Sequence, residues 1–227
     1  MPKQREAVKQ LRLRRQLIAT ARRMNALGIN QGTSGNVSSR LNDGFLITPS
    51  GVPYDKMTPD RIVPVDDSGR YRGAYLPSSE WRMHRDIYLA RPEAGAVVHA
   101  HSNYATALSC LRREIPAFHY MVAVAGGDSI RCADYATFGT EELSRNMMQA
   151  LEGRRACLLG NHGMICFGPT LEKALWLAVE VETLAKQYWI ALHAGEVILL
   201  DAAEMARVLA RFETYGKQPD QVSDSDG

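Results

Sequence analysis

Two histidines one residue apart, His99 and His101, end an apolar run that begins at Ala96. Successive side chains alternate between the two faces of a strand, so both imidazoles would point the same way, while Val98 and Ala100 face the opposite layer. Two convergent imidazoles at the end of a buried strand make half of a transition-metal site. The same spacing also suits a pair of hydrogen-bonded histidines, so the rest of the chain must decide.

A third histidine, His162, lies in an Asn-His-Gly turn between two short apolar stretches. Three neutral imidazoles with an open fourth position are typical of a catalytic rather than a structural zinc site. Glu80 is the nearest candidate for that fourth position at rest. His84 lies one helical turn beyond Glu80 and competes with it as a ligand, although its charged neighbours favour a surface position or a supporting role.

Three loops rich in small and polar residues could bind an anion through backbone N–H groups and hydroxyls. They are residues 31–39, 49–53 and 77–80. The last loop also opens a predicted helix, where a serine would cap the free N–H groups and Glu80 would lie in the first turn. Many polar loops look alike, so each loop alone is a weak indication.

The elements that must position these residues alternate along the chain with short connections. Apolar spacing and turn residues predict helices near residues 1–27, 80–91, 104–111, 140–151, 170–193 and 201–215, and strands near 37–41, 45–48, 62–65, 96–101, 156–159 and 164–167. This order predicts an α/β fold: a single-domain three-layer α/β/α arrangement with a central mixed, largely antiparallel sheet. The domain is expected to span residues 1–215, and the tail 216–227, which has almost nothing to bury, to be mobile.

Composition and charge exclude several classes of function. The chain has 227 residues, of which 45% are hydrophobic and 23% charged, as in an ordinary globular protein. A formal net charge of +2 gives no field that would attract nucleic acid or a membrane surface, and no apolar run approaches the ~20 residues of a membrane span. The N-terminus is too charged for a signal peptide, and four scattered cysteines fit reduced thiols, so we expect a cytoplasmic protein.

Seven separated motifs resemble, in order and spacing, those of the class II aldolase/adducin family, from Leu11 to about Tyr215. They are Gly35-Asn-Val-Ser38, Ile47-Thr-Pro-Ser-Gly51, Leu76-Pro-Ser-Ser-Glu80, Val98-His-Ala-His101, Ile115-Pro-Ala-Phe-His-Tyr-Met121, Ala136-Thr-Phe-Gly139 and Asn161-His-Gly163. Within the family, the chain looks most similar to the L-fuculose-1-phosphate aldolase branch.

The resemblance implies which residues form the site. Zn²⁺, or another divalent ion such as Mn²⁺ or Co²⁺, would bind His99, His101 and His162, with Glu80 as resting ligand and as catalytic acid and base. The substrate phosphate would bind at Gly35, Asn36, Ser50, Gly51, Ser78 and Ser79.

The resemblance also assigns roles to three aromatic residues. Tyr120 would be catalytic and would reach the site from the neighbouring subunit of a homotetramer, with active sites at the subunit interfaces. Without the family, Tyr120 would be read as a tyrosine in an apolar core strand. Phe138 and Tyr215 resemble the lining around the aldehyde portion of the substrate.

Such an enzyme would reversibly cleave a ketose 1-phosphate, a small phosphorylated sugar, into dihydroxyacetone phosphate and an aldehyde. An aromatic pocket would leave a second phosphate desolvated, which favours L-fuculose 1-phosphate or a 5-deoxy- or 5-methylthio-pentulose 1-phosphate. Two alternatives are a pentulose-5-phosphate 4-epimerase and a non-catalytic adducin-like scaffold. The sequence Phe118-His-Tyr-Met121 argues against the epimerase, and the complete set of three histidines and Glu80 argues against the scaffold.

Overall fold

A computed structural model describes the chain from residue 2 to residue 214, so Tyr215 and the predicted tail 216–227 lie outside the described residues. The helices are α1 (Pro2–Ala26), α2 (Trp81–Ala90), α3 (Asn103–Cys110), α4 (Glu141–Ala150), α5 (Leu171–Ala194) and α6 (Ala202–Phe212). The strands are β1 (Asn36–Leu41), β2 (Gly44–Ile47), β3 (Val63–Val65), β4 (Ala96–Ala100), β5 (Cys132–Ala133), β6 (Ala156–Leu159) and β7 (Gly163–Gly168).

These seven strands form one sheet in the order β3-β2-β1-β4-β7-β6-β5. All neighbouring strands are antiparallel except β5 and β6, which are parallel. The predicted mixed, largely antiparallel sheet is therefore confirmed. The histidine strand β4 lies at its centre, paired with β1 on one side and β7 on the other, and is buried along its whole length.

Alternate residues of β4 face two different apolar cores, which makes the fold three-layered. Val98 and Ala100 belong to a core shared with α1, α3 and α5, whereas Val97 belongs to a core shared with α2 and α4. Strand alternation places His99 on the same face as Val97, towards α2. Helices cover both faces as predicted, and none of those described is long and apolar enough to cross a membrane.

The apolar run 115–125 differs from the core strand that its composition indicates. Ile115 pairs with Ile130 only as an isolated bridge, and residues Tyr120–Ala125 form a 3-10 helix. The ring nitrogen of His119 accepts a hydrogen bond from the Met121 N–H at 3.2 Å, which caps this helix. Gly126, at a φ of 96°, ends it. Tyr120 therefore lies at the exposed start of a largely buried 3-10 helix instead of in a strand.

Gly95, immediately before β4, generates a prediction about stability. A Cβ added to Gly95 would lie 2.1 Å from the carbonyl oxygen of Pro169, a backbone atom that cannot easily move. We expect Gly95→Ala to lower the free energy of unfolding by about 1–3 kcal/mol. A Cβ added to Gly195 would meet nothing within 4 Å, so Gly195→Ala should change it by at most about 0.5 kcal/mol. Denaturant titrations measure both, and equal stability of the two variants would contradict this packing.

Candidate metal centre

Three imidazoles, those of His99, His101 and His162, converge on one point at the end of β4. Their ring centroids are 4.8–4.9 Å apart in all three pairs, and the ring planes cross at 73–77°. The Nε2 atoms of His99 and His101 are 3.0 Å apart. This near-threefold arrangement turns the nitrogen edges of the rings towards a common centre.

Local backbone structure explains the convergence. His99 and His101 share a face because side chains alternate along β4. His162 lies in the turn between β6 and β7, and β7 is the neighbour of β4 in the sheet. Asn161 in that turn adopts a left-handed conformation with a φ of 51°, and its N–H donates to the carbonyl of Ser109 at 3.1 Å, which attaches the turn to α3.

The fourth member of the cluster is the Glu80 carboxylate. Its Oε2 lies 3.1 Å from Nε2 of His99, and its Oε1 lies 3.0 Å from Nε2 of His162. The loop that carries it is attached to the sheet, because the Ser78 N–H donates to the carbonyl of Thr48 at 3.0 Å. The sequence predicted Glu80 in the first turn of a helix, whereas α2 begins one residue later, at Trp81. Glu80 at this N-cap position turns its side chain towards the histidines.

The electrostatics of the cluster suit a cation. Burial raises the pKa of Glu80, but the field of His99 and His162 outweighs burial and holds that pKa well below its usual range. Burial, with the neighbouring His99 and His162, lowers the pKa of His101 to about 4. The carboxylate is thus charged and His101 neutral at physiological pH, which are the forms that bind metal ions.

The donor set also passes a geometric test for a metal ion. Nδ1 of His99 donates to the carbonyl of Met164 at 2.8 Å, so its Nε2 turns a lone pair to the centre. Ligand nitrogens about 2.0–2.1 Å from a tetrahedral zinc ion lie about 3.3 Å from each other. The 3.0 Å separation of the His99 and His101 Nε2 atoms is close to that value. Apart from Nε2 of His162, 3.0 Å away, no described residue offers a hydrogen-bond donor to buried Oε1 of Glu80, as expected of an atom that a cation would satisfy.

His84, which the sequence left as an alternative ligand with a surface or supporting position, is fully buried and is not part of the cluster. Both of its ring nitrogens are within hydrogen-bond distance of other groups, Asn36 and Ser38. The expectation of a surface position is wrong, because the charged residues beside it in sequence lie on other faces of α2. Burial lowers the pKa of His84 to about 3, so the ring is neutral.

A cleft of about 280 Å³ opens above the cluster. The residues that line it come from all three predicted parts of the site. They are the predicted metal ligands Glu80, His101 and His162, the predicted phosphate-site residue Ser79, and the predicted aldehyde-pocket residue Phe138. Tyr135 also lines the cleft and was missed in the sequence, although it directly precedes the motif that contains Phe138.

The other residues of the predicted phosphate site lie on neighbouring segments. The loop of Ser50 and Gly51 pairs with the loop of Ser78, because the Ser50 N–H donates to the carbonyl of Leu76 at 3.1 Å. Gly35 directly precedes β1 and packs closely against the backbone of β4. A Cβ added to it would lie 2.6 Å from the carbonyl oxygen of His99. The amide of the adjacent Asn36 donates to Oε2 of Glu80 at 2.9 Å.

Tyr120 does not line this cleft. It is 51% exposed and lies against α6, where its ring stacks on Phe212 with centroids 6.5 Å apart. Tyr120, Val208, Arg211 and Phe212 border a separate, largely apolar cavity of about 150 Å³. Of the two residues predicted for the aldehyde pocket, Phe138 lies in the cleft and Tyr215 lies outside the described residues.

Fold and site together define a class II aldolase-like α/β protein. The chain belongs to the class II aldolase and adducin N-terminal domain family, whose model matches residues 15–189. A solved L-fuculose 1-phosphate aldolase superposes with a TM-score of 0.86 at 41% identity, covering 88% of this chain and 95% of that one.

Two curated relatives are named as aldolases of different sugar phosphates. The 5-methylthioribulose-1-phosphate/5-deoxyribulose-1-phosphate aldolase of Rhodospirillum rubrum is 57% identical over 204 residues, which are 90% of this chain and 92% of the relative. The L-fuculose phosphate aldolase of Escherichia coli is 53% identical over 206 residues, 90% of this chain and 96% of the relative. The resemblance that the motifs indicated is confirmed.

The convergence of three imidazoles generates a prediction about metal affinity. His101→Ala removes one ligand atom and should lower the affinity for Zn²⁺ at least about 100-fold, with the thermal transition retained. His193→Ala is the matched control, since this exposed histidine lies outside the cluster, against Trp189. Elemental analysis and chelator competition measure the effect, and full zinc occupancy in His101→Ala would contradict the assignment.

Proposed function

We propose that this protein is a class II aldolase that reversibly cleaves a ketose 1-phosphate into dihydroxyacetone phosphate and an aldehyde. The observation that carries the proposal is the convergence of Glu80, His99, His101 and His162 at the floor of one cleft. The names of the two curated relatives support it, since both are aldolases of sugar 1-phosphates.

We assign the metal ion to His99, His101 and His162, and propose Zn²⁺, with Mn²⁺ or Co²⁺ as substitutes. Nitrogen ligands and an open fourth position favour zinc. Such an ion would act as a Lewis acid that stabilises negative charge on a substrate oxygen. Glu80 would be the fourth ligand at rest and would leave that position when substrate binds.

The phosphate would bind through the loops of Gly35, Asn36, Ser50, Gly51, Ser78 and Ser79. Two features support this assignment. Ser79 lies at the rim of the cleft, just before the N-terminus of α2, where the helix dipole favours an anion. The loop of Ser50 and Gly51 lies beside it. This site fixes the substrate so that its second and third carbons lie near Glu80.

Glu80 would act as the acid and base at carbon. When the C3–C4 bond of the ketose breaks, its electron pair stays on C3. Glu80, after taking up a proton from solvent, gives that proton to C3 to complete dihydroxyacetone phosphate. In the synthesis direction, Glu80 takes the same proton back. The proton on the C4 oxygen leaves as the aldehyde carbonyl forms, and the phenolate of Tyr120 would accept it; in the synthesis direction the Tyr120 hydroxyl would give a proton to the aldehyde oxygen.

Tyr120 can fill this role only from a neighbouring subunit, so we propose a homotetramer with active sites at its interfaces. Two features support this proposal. Tyr120 is half-exposed at the start of a 3-10 helix, and it borders an apolar cavity formed with α6 instead of the cleft of its own chain. Burial of such an apolar cavity between subunits is favourable.

The far end of the substrate would meet Phe138, together with Tyr135 and, as a prediction, Tyr215. An aromatic wall favours a deoxygenated or thioether-capped end, because it would leave much of a second phosphate desolvated. We therefore propose L-fuculose 1-phosphate, 5-deoxyribulose 1-phosphate and 5-methylthioribulose 1-phosphate as the substrate class.

We further propose that the chain acts in the cytoplasm as one domain spanning residues 1–215, followed by a short tail. All four cysteines are unpaired in the structure, which fits a reducing compartment. The seven strands share a single sheet, which supports a single domain.

Glu80→Gln tests the acid–base role. The variant keeps the size of the side chain but cannot exchange a proton, so exchange of the C3 proton of dihydroxyacetone phosphate with deuterated water should fall about 10²-fold or more. Tyr120→Phe is the comparison, because it should slow ketose cleavage while leaving this exchange nearly intact. Undiminished exchange in Glu80→Gln would place the base elsewhere, and equal losses in Tyr120→Phe would make Tyr120 a structural support.

A substrate panel tests the proposed reaction itself. The three 1-phosphates should each release dihydroxyacetone phosphate. Their kcat/KM values should differ by at most about 200-fold, because one methyl or methylthio group discriminates weakly in an apolar pocket. A pentulose 5-phosphate should be cleaved or epimerised far more slowly. Preference for that 5-phosphate, with an epimerised product and no free dihydroxyacetone phosphate, would replace the aldolase with an epimerase.

A further inference from the structure

A continuous chain of buried hydrogen bonds links the Glu80 carboxylate to the far end of α2. The Asn36 amide donates to Oε2 of Glu80 at 2.9 Å, and Oδ1 of Asn36 lies 2.5 Å from Nε2 of His84. Nδ1 of His84 lies 2.7 Å from the hydroxyl of Ser38, which lies 2.7 Å from the hydroxyl of Tyr88. All five residues are at most 5% exposed.

The chain alternates between one face of α2 and one face of β1. Glu80, His84 and Tyr88 are four residues apart, which is a rise of about 6.0 Å along a helix. Asn36 and Ser38 are two residues apart, a rise of about 6.7 Å along a strand. Because these two repeats nearly match, each strand side chain fits between two successive helix side chains.

The carboxylate end of the chain determines the direction of every hydrogen bond in it. The charged carboxylate of Glu80 can only accept, so the Asn36 amide must present its NH₂ there and its carbonyl to His84. Nε2 of His84 must then carry the proton, and its neutral Nδ1 must accept from the Ser38 hydroxyl. Ser38 in turn accepts from Tyr88. The low pKa of the buried His84 agrees with a neutral ring in this position.

We propose that Ser38, His84 and Tyr88 are positioning residues which, through Asn36, anchor Oε2 of Glu80 and leave Oε1 as the oxygen that exchanges the substrate proton. This inference rests on the acid–base role of Glu80 proposed above. It assigns different tasks to the two carboxylate oxygens. Oε2 is restrained by an amide donor that cannot reorient, whereas Oε1 meets no amide or hydroxyl donor among the described residues and faces Nε2 of His162, a proposed metal ligand, at 3.0 Å.

An anchored oxygen has a consequence for catalysis. A carboxylate whose Oε2 is held by a hydrogen bond has little freedom to rotate. Oε1 can then move only between the histidines and the cleft. Without the anchor, Asn36 could turn its carbonyl towards Glu80 and repel it. We therefore expect losses in proton exchange that are larger for changes nearer to Glu80 in the chain.

The first experiment compares variants by exchange of the C3 proton of dihydroxyacetone phosphate with deuterated water, in the full-length, zinc-loaded protein. Ser38→Ala should lower the maximal exchange rate about 10-fold, with the half-saturating concentration changed by less than about twofold. Tyr88→Phe, one link further away, should cost less than Ser38→Ala. Ser144→Ala is the matched control: Ser144 is equally buried and donates to Oδ2 of Asp86 at 2.6 Å, outside the chain, and should leave exchange unchanged.

The second experiment needs no activity. Ring ¹⁵N resonances of metal-free, histidine-labelled protein should include a neutral His84 protonated at Nε2, identified by its absence from His84→Gln. A His84 protonated at Nδ1, or charged, at neutral pH would overturn the hydrogen-bond chain. Ser38→Ala with the exchange rate of the unchanged protein would overturn its positioning role.

These outcomes separate the inference from the proposal on which it rests. If the unchanged protein exchanges no proton of dihydroxyacetone phosphate, the aldolase proposal fails, and the assignment of Oε1 fails with it. The ¹⁵N measurement still decides, independently, whether the hydrogen bonds are donated in sequence from Tyr88 towards Glu80.

Discussion

Burial of one carboxylate is the physical constraint on which this site depends. An isolated charge moved into a protein interior costs far more free energy than any single contact returns, so it persists only among groups that stabilise it. Glu80 meets this condition through two imidazoles and the Asn36 amide. The register of β1 against β4, which pairs Asn36 with His99, brings donor and acceptors to one place. A cation in the cluster would complete the charge balance.

Part of this site could be predicted from residue types and spacing alone. His99 and His101 share a face because a strand has a period of two, and the short turn around His162 placed a polar residue between apolar strands. What joins these two segments is the pairing of β4 with β7, a contact distant in sequence. The motif resemblance supplied that information, since a family's order of motifs reflects a shared fold.

Other features depended on contacts that no local pattern reveals. The buried chain through His84 needs α2 to lie along β1 in one register, and spacing within α2 cannot show which strand faces it. The charged neighbours of His84 in sequence, Arg82, Arg85 and Asp86, lie on other faces of the helix. The local composition therefore predicted a surface position for a residue that is buried. The run 115–125 differs from the core strand that its composition indicates for a similar reason, because an apolar run is typical of a buried helix as well as of a strand.

The turn at Gly139 has a practical consequence for carbon–carbon bond synthesis. Gly139 adopts a φ of 75°, and a Cβ added there would lie 2.9 Å from the carbonyl oxygen of Ser79. The loop that carries Phe138 is thus seated on the loop at the start of α2, while all three imidazoles belong to the sheet and its turns. If Tyr135 and Phe138 contact the aldehyde as we propose, a designer of new biocatalysts could exchange these two residues to admit other aldehydes, provided that Gly139 is retained. The residues of the reactive centre would then stay unchanged, and only the aromatic residues of the cleft would be substituted.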